Sequence, residues 1–544
     1  MKLVKNGFLL LVTMVLVSCK ANKTNAQKAE ERPNIILIMS DDMGYSDLAP
    51  YGGEINTPNL TALADGGLKF TQFYNTARCC PTRASLMTGC YPHQAGIGYM
   101  TQQPQSKGMD LGVPGYRGFL NSNTVTIAEA LRESGYSTMM TGKWHLGIHE
   151  KEQWPMQRGF DAFYGFLAGA GSFFKPEHPR GITEGNEPIT ITDENYYTTD
   201  AFTDKAIEYI DAAKSKDKEK PFFLYLAYNA PHWPIQAPKE DIEKYRGKYM
   251  EGWEKLREER YERMKKMGLV DPSWELSEAK GIVAWDSLSE EKQKEMDFRM
   301  AIYAAMIDRM DQNIGRLVKN LKEKNLYDNT IIIFLNDNGA CAEGGMLGRG
   351  AAKNLGTNND LGISYGEAWA NASNTPYRLY KHWTHEGGIA TPFIVHWPKG
   401  ISEDKKGAIV NQYGFLPDVM ATCLDLAQME QPKEYNGNVI TQHSGKSLKP
   451  LFSEYSGQIH TEPIFFEHEG NKAVRLGKYK LVQRWVRNKD NWELYDMEAD
   501  RSETKNLINE MPEKANEMKA MYDEWAARSN VLPYEEVIKM RPWK

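Results

Sequence analysis

Cysteine is scarce in this 544-residue sequence, with six in all, and there is no surplus of positive charge, the formal net charge being -6. With Cys19 set aside, Cys79, Cys80, Cys90, Cys341 and Cys423 remain. They are too few and too scattered for a disulfide framework, although a pairing by Cys80 or Cys90 stays open. The charge balance carries no electrostatic footprint of nucleic-acid binding, while a local basic pocket is still enough to hold one anion. Beyond the N-terminus no hydrophobic run reaches membrane-spanning length, and no internal repeat or low-complexity tract is evident. At this length the expectation is one large domain with a smaller one.

Organisation follows from hydrophobic patterning. Pro33 to Met39 is a continuous apolar run closed by Ser40-Asp41-Asp42, the pattern of a fully buried parallel strand ending in carboxylates. Thr330 to Leu335 repeats it and ends in Asn336-Asp337-Asn338-Gly339, and Pro221 to Leu226 ends near Asn229 to His232. Ile307, Met310, Ile314, Leu317 and Leu321 recur at helical spacing, one stripe against a sheet. Strands alternating with helices predict an α/β fold around a large, mostly parallel sheet. In such sheets ligands bind beyond the carboxyl ends of the strands, so polar strand ends converge on one site. The charged, aromatic stretch from Lys239 to Lys294 reads as a helical insertion with a solvated face rather than core. From about Thr461 short strands and then a helical stretch from Pro512 to Ser529 predict a smaller C-terminal α+β subdomain. The expected boundaries are 33–460 for the main domain and 461–544 for the subdomain.

Several short motifs carry chemistry. Asp41, Asp42, Asp337 and Asn338 place oxygen donors at the ends of two strands that could be neighbours, a hard set suited to Ca²⁺ or Mg²⁺ rather than Zn²⁺. Each pair also has a structural reading, as a helix N-cap or a turn. In an extended chain Lys143 and His145 of Gly142-Lys143-Trp144-His145-Leu146-Gly147 point to one side and could both reach one oxyanion. Arg78-Cys79-Cys80-Pro81-Thr82-Arg83, read as Cys-x-Pro-x-Arg from Cys79 and followed by Ala84 to Gly89, resembles the signature of the type I sulfatases, on the alkaline-phosphatase-like fold. The Gly142 to Gly147 element, Pro231-His232-Trp233-Pro234 and Lys381 ahead of Glu386-Gly387-Gly388 resemble further motifs of that family, in the same order. Around Lys381 the wording departs from the family's commoner Arg-Gly-Gly-Lys. The match is looser in the C-terminal part, through Glu467 to Asn471 and Trp492 to Asp496.

The resemblance implies a sulfuric ester hydrolase in which Cys79 is oxidised to formylglycine by a formylglycine-generating maturation enzyme, the hydrated aldehyde being the nucleophile. It implies one Ca²⁺ held by Asp41, Asp42, Asp337, Asn338 and the modified Cys79. Lys143 and Lys381 are expected on the sulfate oxygens and Arg83 on the nucleophile, with His232 as general acid and His145 as the base that releases sulfate. The implied substrate is a sulfated carbohydrate, of the galactose type among other possibilities, with His385, His468, Glu469, Asn471 and Arg475 as candidate sugar contacts. Alternatives are an arylsulfatase of broad specificity, a phosphoester or phosphonate hydrolase of the same superfamily, and a catalytically silent lipoprotein that binds sulfated glycans.

The N-terminus reads as an export signal over 1–19, basic at Lys2 and Lys5 and apolar from Phe8 to Val17. Leu16-Val17-Ser18-Cys19 resembles a bacterial lipobox, which implies lipidation of Cys19, a polar tether over 20–32 and a periplasmic or surface-anchored protein. Membrane contact is expected only through that anchor.

Overall fold

Five consecutive apolar residues, Ile35 to Met39, leave no polar face for water, and in the computed structural model Asn34–Ser40 (β1) is buried at every position. The structure describes residues 31–101 and 110–541. The expected signal segment, Cys19 and nearly all of the tether lie outside them. Arg32–Lys544 packs as one unit.

The other strands of the main sheet are Leu68–Tyr74 (β2), Ser137–Lys143 (β3), Ala162–Phe166 (β4), Ile182–Glu184 (β5), Glu187–Ile189 (β6), Phe222–Ala227 (β7), Thr330–Asn336 (β8), Ala390–His396 (β9) and Ala408–Phe415 (β10). Their order is β10-β2-β9-β8-β1-β7-β3-β4-β5-β6. The central run β8-β1-β7-β3-β4 is parallel throughout, so the carboxyl ends of these strands lie at one edge. Register places Ser40 opposite Asn336, which sets Asp41-Asp42 beside Asp337-Asn338. Glu290–Glu323, a 34-residue helix, lays Ile307, Met310, Ile314, Leu317 and Leu321 into the core as the spacing predicts.

After a short hairpin, Glu434–Tyr435 (β11) with Asn438–Val439 (β12), a separate antiparallel sheet follows. It consists of Ile464–His468 (β13), Asn471–Leu476 (β14), Tyr479–Gln483 (β15) and Trp492–Asp496 (β16), in sequential order. The helix Pro512–Arg528 covers it, Trp525 stacking on Phe465.

The 239–294 stretch departs from expectation. Its helix Gly252–Lys266 buries Trp253, Leu256, Tyr261 and Met264. Trp253 packs edge-on against Trp285 and Trp369. Arg260 is fully buried because Asp47 and Glu54 receive its guanidinium at 2.7 and 2.8 Å. A charge-dense helix thus joins the core by bringing cations to buried acids, which helical charge density alone does not reveal. Among the described residues no helix is long and apolar enough to cross a membrane.

Candidate active site

The helix Cys79–Thr88 starts at the cysteine, with Arg78 as its extended N-cap residue, and every residue in it is buried. Cys79 therefore sits where the unpaired amide groups of the first turn concentrate partial positive charge. Its thiol is held well below the usual range, first by a hydrogen bond from Cys80 and then by Lys143 and His145, against the opposing effect of burial. Arg83 lies one turn on. It donates to the carbonyl of Lys143 at 2.9 Å and to Asp337 Oδ2 at 2.8 Å, tying this helix to the ends of β3 and β8.

The acidic residues converge as the strand grammar implies. Lys143 Nζ lies 2.7 Å from Asp41 Oδ2, and Lys381 Nζ lies 2.8 Å from Asp42 Oδ1. Asn338 Nδ2 donates to Asp42 Oδ1 at 2.7 Å, and the Asp42 amide donates to Asp337 Oδ1 at 3.2 Å. His232 Nε2 stands 3.3 Å from Asp42 Oδ2 while its Nδ1 meets the Trp233 carbonyl at 2.6 Å. Burial and the charge of Asp337 push the Asp41 carboxyl well above the carboxylate range, despite Lys143 and Arg83. Asp42 is lowered, because His232 and Lys381 outweigh burial. Burial brings His232 down to about 4 and also lowers His145.

A divalent cation fits this donor set. Asp41 Oδ1 and Asn338 Oδ1 are buried and have no hydrogen-bond partner among the described residues, an uncommon condition for polar atoms. The donors around them are oxygens, which suit Ca²⁺ or Mg²⁺.

Backbone geometry concentrates here too. Asp42, Ala77, His145 and His382 all have positive φ, at 67°, 61°, 58° and 92°, a conformation that non-glycine residues hold only when their surroundings enforce it. His145 reaches Cys79 for this reason, and not because the chain is extended: β3 ends at Lys143. Gly142 makes the approach possible, since a Cβ there would lie 1.8 Å from the Ala227 carbonyl oxygen.

Sequence reading missed two residues at the rim. Glu343 ties Arg78 (3.0 Å), Lys381 (3.7 Å) and the Trp233 indole (2.9 Å) together. Lys381 first, then Arg78, hold its carboxyl far below the usual range. His382, next to Lys381, packs its ring 5.3 Å from that of His468. The only local signal for either is adjacency to Asn338 or Lys381. Of the candidate sugar contacts, His468 and Glu469 gather with His382, and Asn471 braces the cluster by donating to the carbonyls of His468 and His382 at 2.9 and 3.3 Å. His385 and Arg475 are committed elsewhere. His385 Nε2 contacts Glu493 at 3.0 Å, and Arg475 donates to Gln72 at 3.2 Å and covers the Tyr413 ring. Cys79, Cys80, Cys90, Cys341 and Cys423 are all free thiols, which answers the open disulfide question for Cys80 and Cys90.

Comparison with known proteins agrees with this geometry. The family model described as Sulfatase matches residues 33–429, and that of the N-sulphoglucosamine sulphohydrolase C-terminal region matches 377–528. An uncharacterized sulfatase of Schizosaccharomyces pombe is 35% identical, covering 93% of this chain and 96% of its own. An arylsulfatase of Klebsiella aerogenes is 35% identical over 78% of this chain and 92% of its own. Among solved structures, Ps i-CgsB in complex with k-i-k-neocarrahexaose superposes with a TM-score of 0.66 at 27% identity, covering 91% of this chain and 93% of that one. The chain belongs to the sulfatase family, within the alkaline-phosphatase-like superfamily, and is a sulfuric ester hydrolase. That family generally uses a formylglycine and a divalent metal.

Proposed function

We propose that the protein removes O-sulfate from a sulfated carbohydrate, with formylglycine made from Cys79 as nucleophile and Ca²⁺ as the metal. The observation that carries this is the meeting of Cys79, at a buried helix start, with two lysines and a histidine that arrive from three other segments on one acidic pair. The oligosaccharide bound to Ps i-CgsB supports a sugar substrate, and the arylsulfatase relative keeps aryl sulfates as the second class to test.

Asp41, Asp42, Asp337 and Asn338 would hold the cation, which withdraws charge from the sulfate oxygens. The modified Cys79, once hydrated, supplies a hydroxyl that attacks sulfur in line with the departing alkoxide. Lys143 and Lys381, both buried, form a preorganised cationic cradle for the non-bridging oxygens, where low dielectric strengthens their pull on the transition state. Arg83 fixes Asp337 and the Lys143 backbone, and so sets the distance between metal ligands and cradle. His232 protonates the leaving oxygen from Nε2, its Nδ1 being anchored on the Trp233 carbonyl. A bound sulfate ester adds negative charge beside this imidazole and favours its protonated form. His145, beside Cys79, takes the proton that frees sulfate and restores the aldehyde.

The export signal over 1–19 and lipidation at Cys19 belong to this reading on the strength of the sequence alone, as do the domain limits at 33–460 and 461–544. The test is co-expression with a formylglycine-generating enzyme, a peptide mass across Cys79, and sulfate release from a panel of monosulfated sugars and aryl sulfates. The expected result is a mass about 18 Da below the cysteine form and release from one sugar regioisomer. A fully modified Cys79 that turns over aryl sulfates but no sugar would overturn the carbohydrate assignment.

A further inference from the structure

His382, His468 and Glu469 serve no step above, yet their ligand atoms all lie within 4.8 Å of one another. We propose that these three side chains form a second metal site at the rim of the catalytic pocket, selective for a borderline ion of the Zn²⁺ type.

His468 is fully buried, and neither ring nitrogen has a hydrogen-bond partner among the described residues. A buried imidazole with both nitrogens unpaired calls for a ligand. His382 Nδ1 and Glu469 Oε2 stand 3.5 Å apart. Zinc bonds to imidazole nitrogen and carboxylate oxygen of about 2.0–2.2 Å give a tetrahedron with edges of about 3.3–3.6 Å, so this pair already has the spacing of two ligands on one ion. The His468 ring loses no hydrogen bond in turning to complete the set.

The supporting residues have the form that metal sites require. The other oxygen of Glu469, Oε1, accepts from Arg541 Nη2 at 2.7 Å, which orients Oε2 toward the imidazoles as second-sphere partners of ligating carboxylates do. Asn471 Nδ2 donates to the carbonyls of both His382 and His468 and fixes the two chain segments against each other. Glu469 and Gly470 form the two-residue turn between β13 and β14, both with positive φ (49° and 84°). Glycine or asparagine is the easy choice at such a position; a glutamate there accepts backbone strain to place its carboxylate. The nearby Arg78 is paired with Glu343, so its charge does not stand alone against a cation.

Two imidazoles and one carboxylate are a zinc donor set, whereas the acidic strand ends are an oxygen set for a hard ion. The two sites therefore sort different metals. His382 is one-third exposed in its side chain (32%), which leaves the fourth position open to water or to a substrate hydroxyl.

The test uses the full chain with Cys79→Ala, so that the thiol at the nucleophile position does not compete and the outcome does not depend on maturation. The Ca²⁺-saturated protein is titrated with Zn²⁺ against a chromophoric chelator, and crystals are measured at the zinc edge. One Zn²⁺ per chain is expected, with an anomalous peak between His382, His468 and Glu469. His468→Ala and the near-isosteric Glu469→Gln are each expected to weaken zinc binding at least about 100-fold, with Ca²⁺ stoichiometry unchanged as the check on folding. Zinc that binds equally in wild type and in the folded Glu469→Gln protein, that appears only at Asp41, Asp42 and Asp337, or that does not bind would overturn the site.

Discussion

Glu386 begins the turn of helix Glu386–Ile389 that follows the Lys381 loop, and it is the centre of a fully buried knot of four charges. Its Oε1 lies 2.8 Å from Lys480 Nζ and its Oε2 lies 2.8 Å from Arg501 Nε. Lys480 also reaches Glu503 at 2.9 Å, and Glu503 Oε2 accepts from the Glu386 amide at 3.1 Å. Two anions and two cations cancel. Glu386→Gln would leave the knot with one uncompensated positive charge and turn an amide NH₂ toward groups that are themselves donors. At an effective dielectric of about 20 each close contact is worth about 4–6 kcal/mol before desolvation, and breaking a buried pair from one side costs about 3–5 kcal/mol net. If that loss falls on the unfolding barrier, the unfolding rate in urea rises by about 10²–10⁴-fold, read by tryptophan fluorescence after a jump into denaturant. Adding Arg501→Met removes the cation that loses its carboxylate, leaves Lys480 paired with Glu503, and should restore about 1–3 kcal/mol. The sign with pH follows from the same contacts. Burial alone would raise the Glu386 carboxyl, but Lys480 and Arg501 outweigh it and hold it below its unfolded value of 4.5. A depressed carboxylate contributes stability above the unfolded pKa and loses it as pH falls through the folded value, so wild type should lose its advantage over Glu386→Gln only on acidification below about pH 4.5. A single variant that unfolds within five-fold of wild type at pH 7, or a double variant no slower to unfold than the single one, would refute this account of the knot.

Further outcomes follow from the site. Cys79→Ala should abolish sulfate release and leave the near-ultraviolet circular dichroism unchanged, since the change trims one small side chain that meets Met100, Cys80 and His145; residual turnover at the wild-type rate would exclude the covalent scheme. Lys381→Ala should lower kcat/KM by about 10²–10³-fold, the worth of one preorganised transition-state contact, measured under saturating metal so that any change in Asp42 does not register as lost cation. His232→Ala should slow esters with poor leaving groups far more than those with good ones, and should remove the alkaline limb of kcat; equal losses across a leaving-group series would rule out its acid role. Stripping metal with a chelator should abolish activity, with recovery by Ca²⁺ and none by Ca²⁺ in Asp337→Ala.

How much of this was legible in the sequence depended on whether a signal was local. The strand ends were: an unbroken apolar run closed by carboxylates reads as a doubly covered strand, and parallel pairing of β1 with β8 brings two such ends into one four-residue cluster. Lys143 and His145 were found together for an incomplete reason, because alternation along a strand said nothing about the left-handed turn that aims the histidine. Arg475 shows the opposite failure. It and Asn471 share a face of β14, but at about 3.3 Å per residue four steps along a strand are about 13 Å, so motif proximity placed it near a cluster that the strand carries it away from. Glu343 and Arg260 were invisible, since their partners lie far away in the chain, at Arg78 and Trp233 for the one and Asp47 and Glu54 for the other. A buried charge is defined by what pairs it, and pairing is a property of topology. The same reasoning sets apart His468, whose burial without a hydrogen-bond partner among the described residues is a fact that no spacing could announce, and which for that reason points beyond the sulfatase chemistry the motifs already declare.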